Sequence, residues 1–156
     1  MSVLDVCCGT GTYAAAVPGP YLGLDLNERF VRFARRRYSN LPRKQFVVGD
    51  ATAMPLPRQS FDTAIFIDAL HHFPVEINRA IFHQLAAIVR AEILIVDVSP
   101  HVRNPAKRLA LAIDRGDFIR PVAQQVAIVE SELRIVRRSV FDQGLYTQTV
   151  YVCRAP

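Results

Sequence analysis

Short, continuous apolar runs, separated by polar, glycine-bearing or proline-bearing breaks, dominate the first two thirds of the chain. Runs without polar alternation are typical of strands that are buried on both faces of a parallel sheet. The pattern predicts five such strands: Ser2–Val6, Tyr21–Leu26, Gln45–Val48, Thr63–Ile67 and Ala91–Val96.

Helical periodicity occupies several of the intervals between these strands. A short helix of small residues, Thr12–Val17, is predicted before the breaker Pro18-Gly19-Pro20. Val75–Arg90 has apolar residues every three or four positions. A helix over Glu28–Tyr38, capped by Asn27, is predicted to bury one face, which consists of Phe30, Val31, Ala34 and Tyr38.

The last third of the chain changes character. Two helices are predicted, Pro105–Ile113 and one from Pro121 to about Glu130. Leu133–Phe141 and Leu145–Cys153 are rich in β-branched and aromatic residues and flank a turn at Asp142-Gln143-Gly144. They predict an antiparallel hairpin at the sheet edge, in an α/β domain whose helices cover both faces.

Size and composition set broad limits on the class of protein. The 156 residues, half of them hydrophobic, predict a single domain over residues 1–156 with a substantial core. The sequence has no apolar run of the roughly 20 residues that a membrane span needs, and no secretory signal, so a cytoplasmic location is predicted. Cys7, Cys8 and Cys153 have no zinc-ligand spacing, so no metal site is predicted and reduced, buried thiols are favoured.

The net charge of +5 comes almost entirely from arginine. Because the arginines are spread over several segments, a solvated basic surface is favoured over a nucleic-acid-binding surface.

Acidic residues stand at the predicted carboxyl ends of successive strands, which is where open parallel sheets bind ligands. They are Asp5, Asp25, Asp50, Asp68 and Asp97. The first strand also runs into a turn that contains Gly9 and Gly11, where the backbone can approach a ligand closely. A carboxylate after the second strand can accept both hydroxyls of a ribose, and one after the third can accept an adenine amino group.

Four segments in order resemble the motifs of the class I S-adenosylmethionine-dependent methyltransferases. They are Val3-Leu4-Asp5-Val6-Cys7-Cys8-Gly9-Thr10-Gly11, Gly23-Leu24-Asp25, the pair Gly49-Asp50-Ala51 and Ser60-Phe61-Asp62 around a proline-bearing loop, and Asp68-Ala69-Leu70-His71-His72-Phe73. The resemblance implies a Rossmann-like three-layer sandwich with strand order 3-2-1-4-5-7-6 and an antiparallel last strand. It also implies S-adenosylmethionine as cofactor, S-adenosylhomocysteine as product, and in-line methyl transfer to a small molecule.

Carried over to this chain, the resemblance assigns Asp5, Gly9 and Gly11, with Cys7 beside them, to the methionine end of the cofactor. Asp25, followed by Leu26, would hold the ribose. The adenine would lie at Asp50 and Ala51, and the sulfonium beside Asp68, Ala69 and Leu70.

This chain departs from the family pattern at two points. Cys7 stands where the family usually has glycine, which would strain the backbone if this position has a positive φ. Family members usually also carry one or two helices before the first strand that help to cover the site, whereas only Met1 and Ser2 precede it here. The cover is then expected from elsewhere, such as a partner chain, a homodimer or the segment Ser99–Arg120, or it is absent.

A general base is needed only when the acceptor must lose a proton. His71 and His72 are the candidates, and His101 is a weaker one. The conservative interpretation is that one of the pair caps the next helix and the other packs, and His83 is expected to be structural.

Three other interpretations stay open. Gly9-x-Gly11-x-x-Ala14 with Asp25 also fits a loose fingerprint for NAD-type dinucleotides. The departures from the family pattern also allow a cofactor-binding but inactive or regulatory protein. A nucleic-acid acceptor is disfavoured because the Asn/Asp-Pro-Pro-Tyr segment and the Pro-Cys pair of such enzymes are missing.

Overall fold

One seven-stranded sheet organises the computed structural model, which describes residues 1–99, 117–143 and 146–156. Its order is β3-β2-β1-β4-β5-β7-β6, and β7 runs antiparallel to the other six strands. The strands are β1 (Val3–Val6), β2 (Tyr21–Asp25), β3 (Lys44–Val48), β4 (Phe61–Ile67), β5 (Val89–Val98), β6 (Arg134–Gln143) and β7 (Tyr146–Arg154). The predicted strand order and C-terminal hairpin are confirmed.

Three α-helices flank the sheet in the described part of the chain: α1 (Glu28–Arg37), α2 (Val75–Ile88) and α3 (Val122–Glu130). Two short 3-10 helices cover Ala14–Ala16 and Leu70–His72. The helix predicted over Pro105–Ile113 lies outside the described residues. None of the described helices has the length and apolarity needed to cross a bilayer.

The sheet separates two cores because successive strand residues point to opposite faces. In β1, Leu4 and Val6 join the core under α2 and α3, whereas Val3 joins the core under α1. All three helices therefore bury an apolar stripe against the sheet, and the carboxyl ends of β1 to β5 stay at one edge of the molecule.

Two of the predicted helices have different bounds in the structure. Thr12–Val17 forms only the 3-10 turn Ala14–Ala16, since Pro18 follows before enough turns can form to offset helix nucleation. The helix predicted to reach Arg90 ends at Ile88, because Val89 already pairs with Phe61 in the sheet.

Helix α1 confirms one prediction and corrects another. The Asn27 side chain caps it by accepting hydrogen bonds from the backbone N–H groups of Arg29 (3.0 Å) and Phe30 (3.4 Å). Val31, Ala34 and Tyr38 are buried as predicted, but the prediction for Phe30 is wrong, since it is 45% exposed. At about 100° per residue, Phe30 falls on the flank of the stripe that reaches the sheet.

Candidate functional site

A tight turn after β1 forms the floor of the candidate site. Cys7, Gly9 and Gly11 all have positive φ angles, of 60°, 54° and 76°. The turn is held by backbone hydrogen bonds from Cys8 N to Leu24 O (3.0 Å) and from Gly11 N to Cys8 O (2.9 Å). Cys7 therefore has the positive φ that would strain the backbone here, because the left-handed region disfavours residues with a Cβ.

The two glycines of this turn are required for different reasons. A Cβ on Gly11 would come within 2.6 Å of the Phe46 ring, so Gly11 is a packing requirement. A Cβ on Gly9 would have no neighbouring atom within 4 Å, so the space above Gly9 is open. A ligand can therefore approach the backbone at Gly9.

Asp25, the last residue of β2, is tied to this turn by its carboxylate. One oxygen accepts a hydrogen bond from Gly9 N (2.8 Å) and the other accepts one from Asn27 N (2.8 Å). Each oxygen keeps a second lone pair for a ligand hydroxyl. Asp25 therefore orients the turn and the start of α1 together.

Asp50 follows β3 in an exposed loop that orders its own carboxylate. One oxygen accepts hydrogen bonds from Thr52 N (2.8 Å) and from the Thr52 hydroxyl (2.7 Å). These two bonds hold the pKa of Asp50 below its usual value, so the group is charged at neutral pH. The neighbouring Ala51 is buried.

A small, mainly apolar pocket lies between these elements and encloses about 50 Å³. Its lining joins the ends of β1, β2 and β3 to the first turns of α2: Cys7, Leu24, Leu26, Gly49, Asp50, Ala51, Thr52, Phe73, Ile77 and Ile81. This volume is well below the ~300 Å³ of pockets that enclose a whole drug-sized ligand. A pocket of this volume holds only part of a larger ligand, and the remainder would lie over the turn.

Asp5 lies beneath the turn and not on its surface. Its carboxyl group is buried and accepts a hydrogen bond from the Tyr21 hydroxyl. Burial raises the pKa of Asp5 to about 7, the Tyr21 bond opposes the rise, and the charge of Asp25 adds to it. Burial likewise raises the pKa of Cys7 to about 12, so this thiol is not a nucleophile at neutral pH.

The turn after β4 provides the other side of the site. Asp68 adopts a positive φ of 53°, and its carboxylate accepts a hydrogen bond of 2.7 Å from the Gln148 side chain of β7. Ala69 and Leu70 follow and are buried. The hairpin thus reaches back to the end of β4.

Two buried polar side chains that were not predicted from the sequence hold this turn in place. Asn78 donates to Leu70 O (3.1 Å) and Phe73 O (3.0 Å). Arg120 donates to Phe73 O (2.9 Å) and Phe118 O (3.0 Å). The signal for Asn78 is its position on the otherwise apolar, buried face of α2.

The two candidate histidines have different environments. His71 is buried and its Nδ1 contacts the Asp97 carboxylate. The strand-end acid Asp97 therefore holds the His71 ring in place. His72 is exposed, with its ring centroid 4.1 Å from that of His71. The capping interpretation is wrong, since Pro74 is the N-cap of α2 and no side chain caps it. The packing interpretation applies to His71.

Most of the predicted site residues therefore meet at the carboxyl ends of β1 to β4. His83 lies elsewhere, exposed on α2 with its Nδ1 3.2 Å from Glu132. His101 and most of the predicted cover, Ser99–Arg120, lie outside the described residues. Within the residues described, no group of three or more His, Cys, Asp or Glu side chains is placed to hold a metal ion.

A larger open depression, of about 430 Å³, lies at the opposite end of the sheet. Its lining residues lie before β4, in the last turns of α2, and after α3 and β7. Ligands of open parallel sheets bind at the carboxyl ends of the strands, so the smaller pocket is the candidate site.

Comparison with known proteins identifies the family. The methyltransferase domain family matches residues 3–92. A phthiotriol/phenolphthiotriol dimycocerosates methyltransferase of Mycobacterium ulcerans and a fatty-acid O-methyltransferase of Mycolicibacterium smegmatis are each 40% identical over 77 residues. Each alignment covers 46% of this chain and 28% of the relative, so the match spans under a third of these relatives.

The fold has solved counterparts as well. A SAM-dependent methyltransferase of Methanosarcina mazei superposes with a TM-score of 0.79 at 16% identity, over 99% of this chain and 92% of the other. The predicted fold and the predicted methyltransferase family are confirmed. The chain belongs to the methyltransferase domain family.

Proposed function

We propose that this chain binds S-adenosylmethionine and transfers its methyl group to an oxygen atom of a small lipophilic acceptor. The observation that carries the proposal is the open backbone at Gly9 beside Asp25 and the apolar pocket. The printed name of one relative, fatty-acid O-methyltransferase, supports an oxygen acceptor on an apolar molecule.

The residues fit the cofactor as follows. Asp25 binds the ribose hydroxyls with its remaining lone pairs, and Gly9 lets the methionine portion approach the turn. The adenine ring enters the pocket beside Asp50 and Ala51, against Cys7 and Leu26. Gly11 and Asp5, predicted at the methionine end, support the turn from beneath through their contacts with Phe46 and Tyr21.

When bound, S-adenosylmethionine supplies a methyl group on a positively charged sulfur, and a lone pair of the acceptor can take that methyl group by displacing the sulfur. Positioning is the main task of the protein in such a displacement. Asp68, Ala69 and Leu70 form the wall beside the reacting atoms. A general base helps only where the acceptor must lose a proton. His71, which is buried against Asp97, and the exposed His72 stay the two predicted candidates for that role.

Calorimetric titration with S-adenosylhomocysteine tests the binding claim. Asp25→Ala is expected to weaken binding about a hundredfold, because it removes hydrogen bonds to a charged group. Glu130→Ala, an exposed carboxylate at the end of α3, is the matched control and is expected to bind as the wild type does. Unchanged affinity in Asp25→Ala contradicts the ribose assignment, and binding of NAD in place of S-adenosylhomocysteine contradicts the proposal.

Methyl transfer is measured separately with fatty acids and lipophilic alcohols as acceptors. Turnover of at least one acceptor supports the proposed activity. Binding of S-adenosylhomocysteine without any turnover favours the inactive or regulatory alternative.

Three expectations from the sequence stay predictions. They are a single domain over residues 1–156, a partner chain or homodimer that covers the site, and a cytoplasmic location.

A further inference from the structure

Helix α1 holds most of the excess positive charge of this chain. It carries five arginines and one glutamate, a net charge of four, whereas the whole chain has a net charge of +5. All five arginines are exposed. The rest of the chain carries 14 basic and 13 acidic residues, a net charge of +1, so the excess positive charge lies on these ten residues.

Large apolar side chains are exposed on the same element. Phe30 and Phe33 are 45% and 48% exposed, and Leu26, just before the helix, is 72% exposed. At about 100° per residue, Phe30 and Phe33 lie together on the flank between the buried stripe and the outer face. The outer face carries Arg29, Arg32 and Arg36. We call these six residues the α1 surface.

Internal partners do not neutralise this surface. Arg35 donates to Phe46 O (2.8 Å), and Arg37 lies over the Tyr38 ring at 5.6 Å. Among the ion pairs of the described residues, α1 contributes only Arg32–Glu28, a contact of 3.9 Å between two largely exposed side chains. Exposed pairs of this kind contribute little to stability. The arginines of the outer face therefore remain available to an external anion.

We propose that the α1 surface docks this protein on the surface of an anionic lipid bilayer. Helices that combine exposed arginines with phenylalanine or leucine bind the interface by burying the apolar side chains among the acyl chains while the cations contact anionic headgroups. Docking of this kind is peripheral and requires no spanning helix. It also removes two phenylalanines and a leucine from water, which is favourable in itself.

The position of the α1 surface gives the docking a functional consequence. Leu26 belongs both to this surface and to the lining of the pocket, and Val48, 45% exposed, lies opposite Asp25 in the sheet. An apolar rim therefore continues from the pocket to α1. A docked bilayer would lie beside this rim, so an acceptor dissolved in the bilayer would reach the site without crossing water.

A single-stranded nucleic acid fits this surface less well. Proteins bind such strands in positively charged grooves where bases stack on successive aromatic rings. The α1 surface lies on the outside of a helix and not in a groove, and Phe30 and Phe33 are its only aromatic side chains. Charge and apolar exposure together favour the lipid surface.

Sedimentation with sucrose-loaded vesicles tests the proposal with the full chain. Vesicles of phosphatidylglycerol and phosphatidylcholine in equal parts are compared with vesicles of phosphatidylcholine alone. The triple variant Arg29→Gln, Arg32→Gln, Arg36→Gln is expected to bind anionic vesicles about a hundredfold more weakly, at about fivefold per arginine. The control triple Arg58→Gln, Arg79→Gln, Arg134→Gln removes the same charge from exposed positions elsewhere and is expected to change binding less than about threefold.

A second variant separates the apolar contribution from the charge. Phe30→Ser, Phe33→Ser is expected to weaken binding about tenfold or more and to abolish the part that persists at high salt. Circular dichroism shows whether each variant is folded. Equal binding to both vesicle types, equal losses in the two triple variants, or binding of a fluorescent single-stranded oligonucleotide with no binding to vesicles would each overturn the proposal.

Discussion

The two sides of the candidate site are held together by different kinds of contact. Around β1 to β3 the carboxylates are held by groups at most 16 residues away: Gly9 and Asn27 on Asp25, Thr52 on Asp50, and Tyr21 on Asp5. Around β4 and β5 they are held by side chains from distant parts of the chain: Gln148 on Asp68, Arg120 on Phe73, and Asp97 on His71.

This difference separates two tasks. The first side is assembled mainly from backbone hydrogen bonds between segments at most 16 residues apart, which suits a site for a constant ligand such as the proposed cofactor. The second side depends on β5, the segment before α3 and the C-terminal hairpin, so changes in those elements alter the wall beside the proposed acceptor and leave the Gly9 turn intact. One common feature remains, since β1 and β4 are each followed by a non-glycine residue with positive φ, Cys7 and Asp68.

The largest predicted effect concerns the carboxyl group buried beneath the first side. In the folded protein the pKa of Asp5 is raised from 3.8 to about 7, mainly by burial. The folded state therefore binds more protons than the unfolded state between these values, and stability falls as the pH rises through this window. Asp5→Asn keeps an acceptor for Tyr21 and removes the titration. Its free energy of unfolding is expected to exceed that of the wild type by up to about 4 kcal/mol near pH 8 and to match it near pH 4.

Urea unfolding at a series of pH values measures this difference directly. Asp50→Asn is the control, because the pKa of Asp50 is lowered and its stabilising effect is already complete between about pH 5 and pH 8. A constant difference between Asp5→Asn and wild type across the whole pH range would show that Asp5 does not titrate in this window.

A smaller effect is predicted for the clamp on the second side. Arg120→Met keeps much of the buried stem and removes the hydrogen bonds to Phe73 O and Phe118 O. It is expected to lower the free energy of unfolding by about 2 kcal/mol, because buried carbonyl groups lose charged donors. Arg79→Met, at an exposed position of α2, is the control and is expected to change stability by less than about 0.5 kcal/mol.

The same variant tests whether the two sides are independent. Under conditions where it is folded, Arg120→Met is expected to bind S-adenosylhomocysteine only slightly more weakly than the wild type, as measured by calorimetry, because Arg120 holds a single residue of the pocket lining, Phe73. A loss of affinity as large as that expected for Asp25→Ala would show that the clamp also sets the geometry of the Gly9 turn, and the comparison of the two sides would fail.

The two sides also differ in how far the sequence could predict them. The strand order and the Gly9 turn were accessible because continuous apolar runs and motifs within about ten residues carry them. Arg120 and Gln148 were not, because their partners lie 47 and 80 residues away along the chain. The exposure of Phe30 was missed because apolar spacing alone does not show how wide a stripe of α1 the sheet can cover. The capping role considered for His71 or His72 failed because Pro74 itself occupies the N-cap.

The smallest predicted effect tests the strain at the end of β1. Cys7 holds a φ of 60°, a conformation that costs a non-glycine residue about 1 kcal/mol or more. Cys7→Gly is expected to raise the free energy of unfolding by about 1 kcal/mol, since the relief exceeds the loss of one partly exposed side chain. Cys7→Ala keeps the Cβ and therefore the strain, so its stability should not rise. If urea unfolding shows the same change for both variants, the thiol and not the backbone angle sets the energy of this position. In that case Asp68, which also has a positive φ, would be at least as strained as Cys7, although an Asp side chain tolerates the left-handed region better.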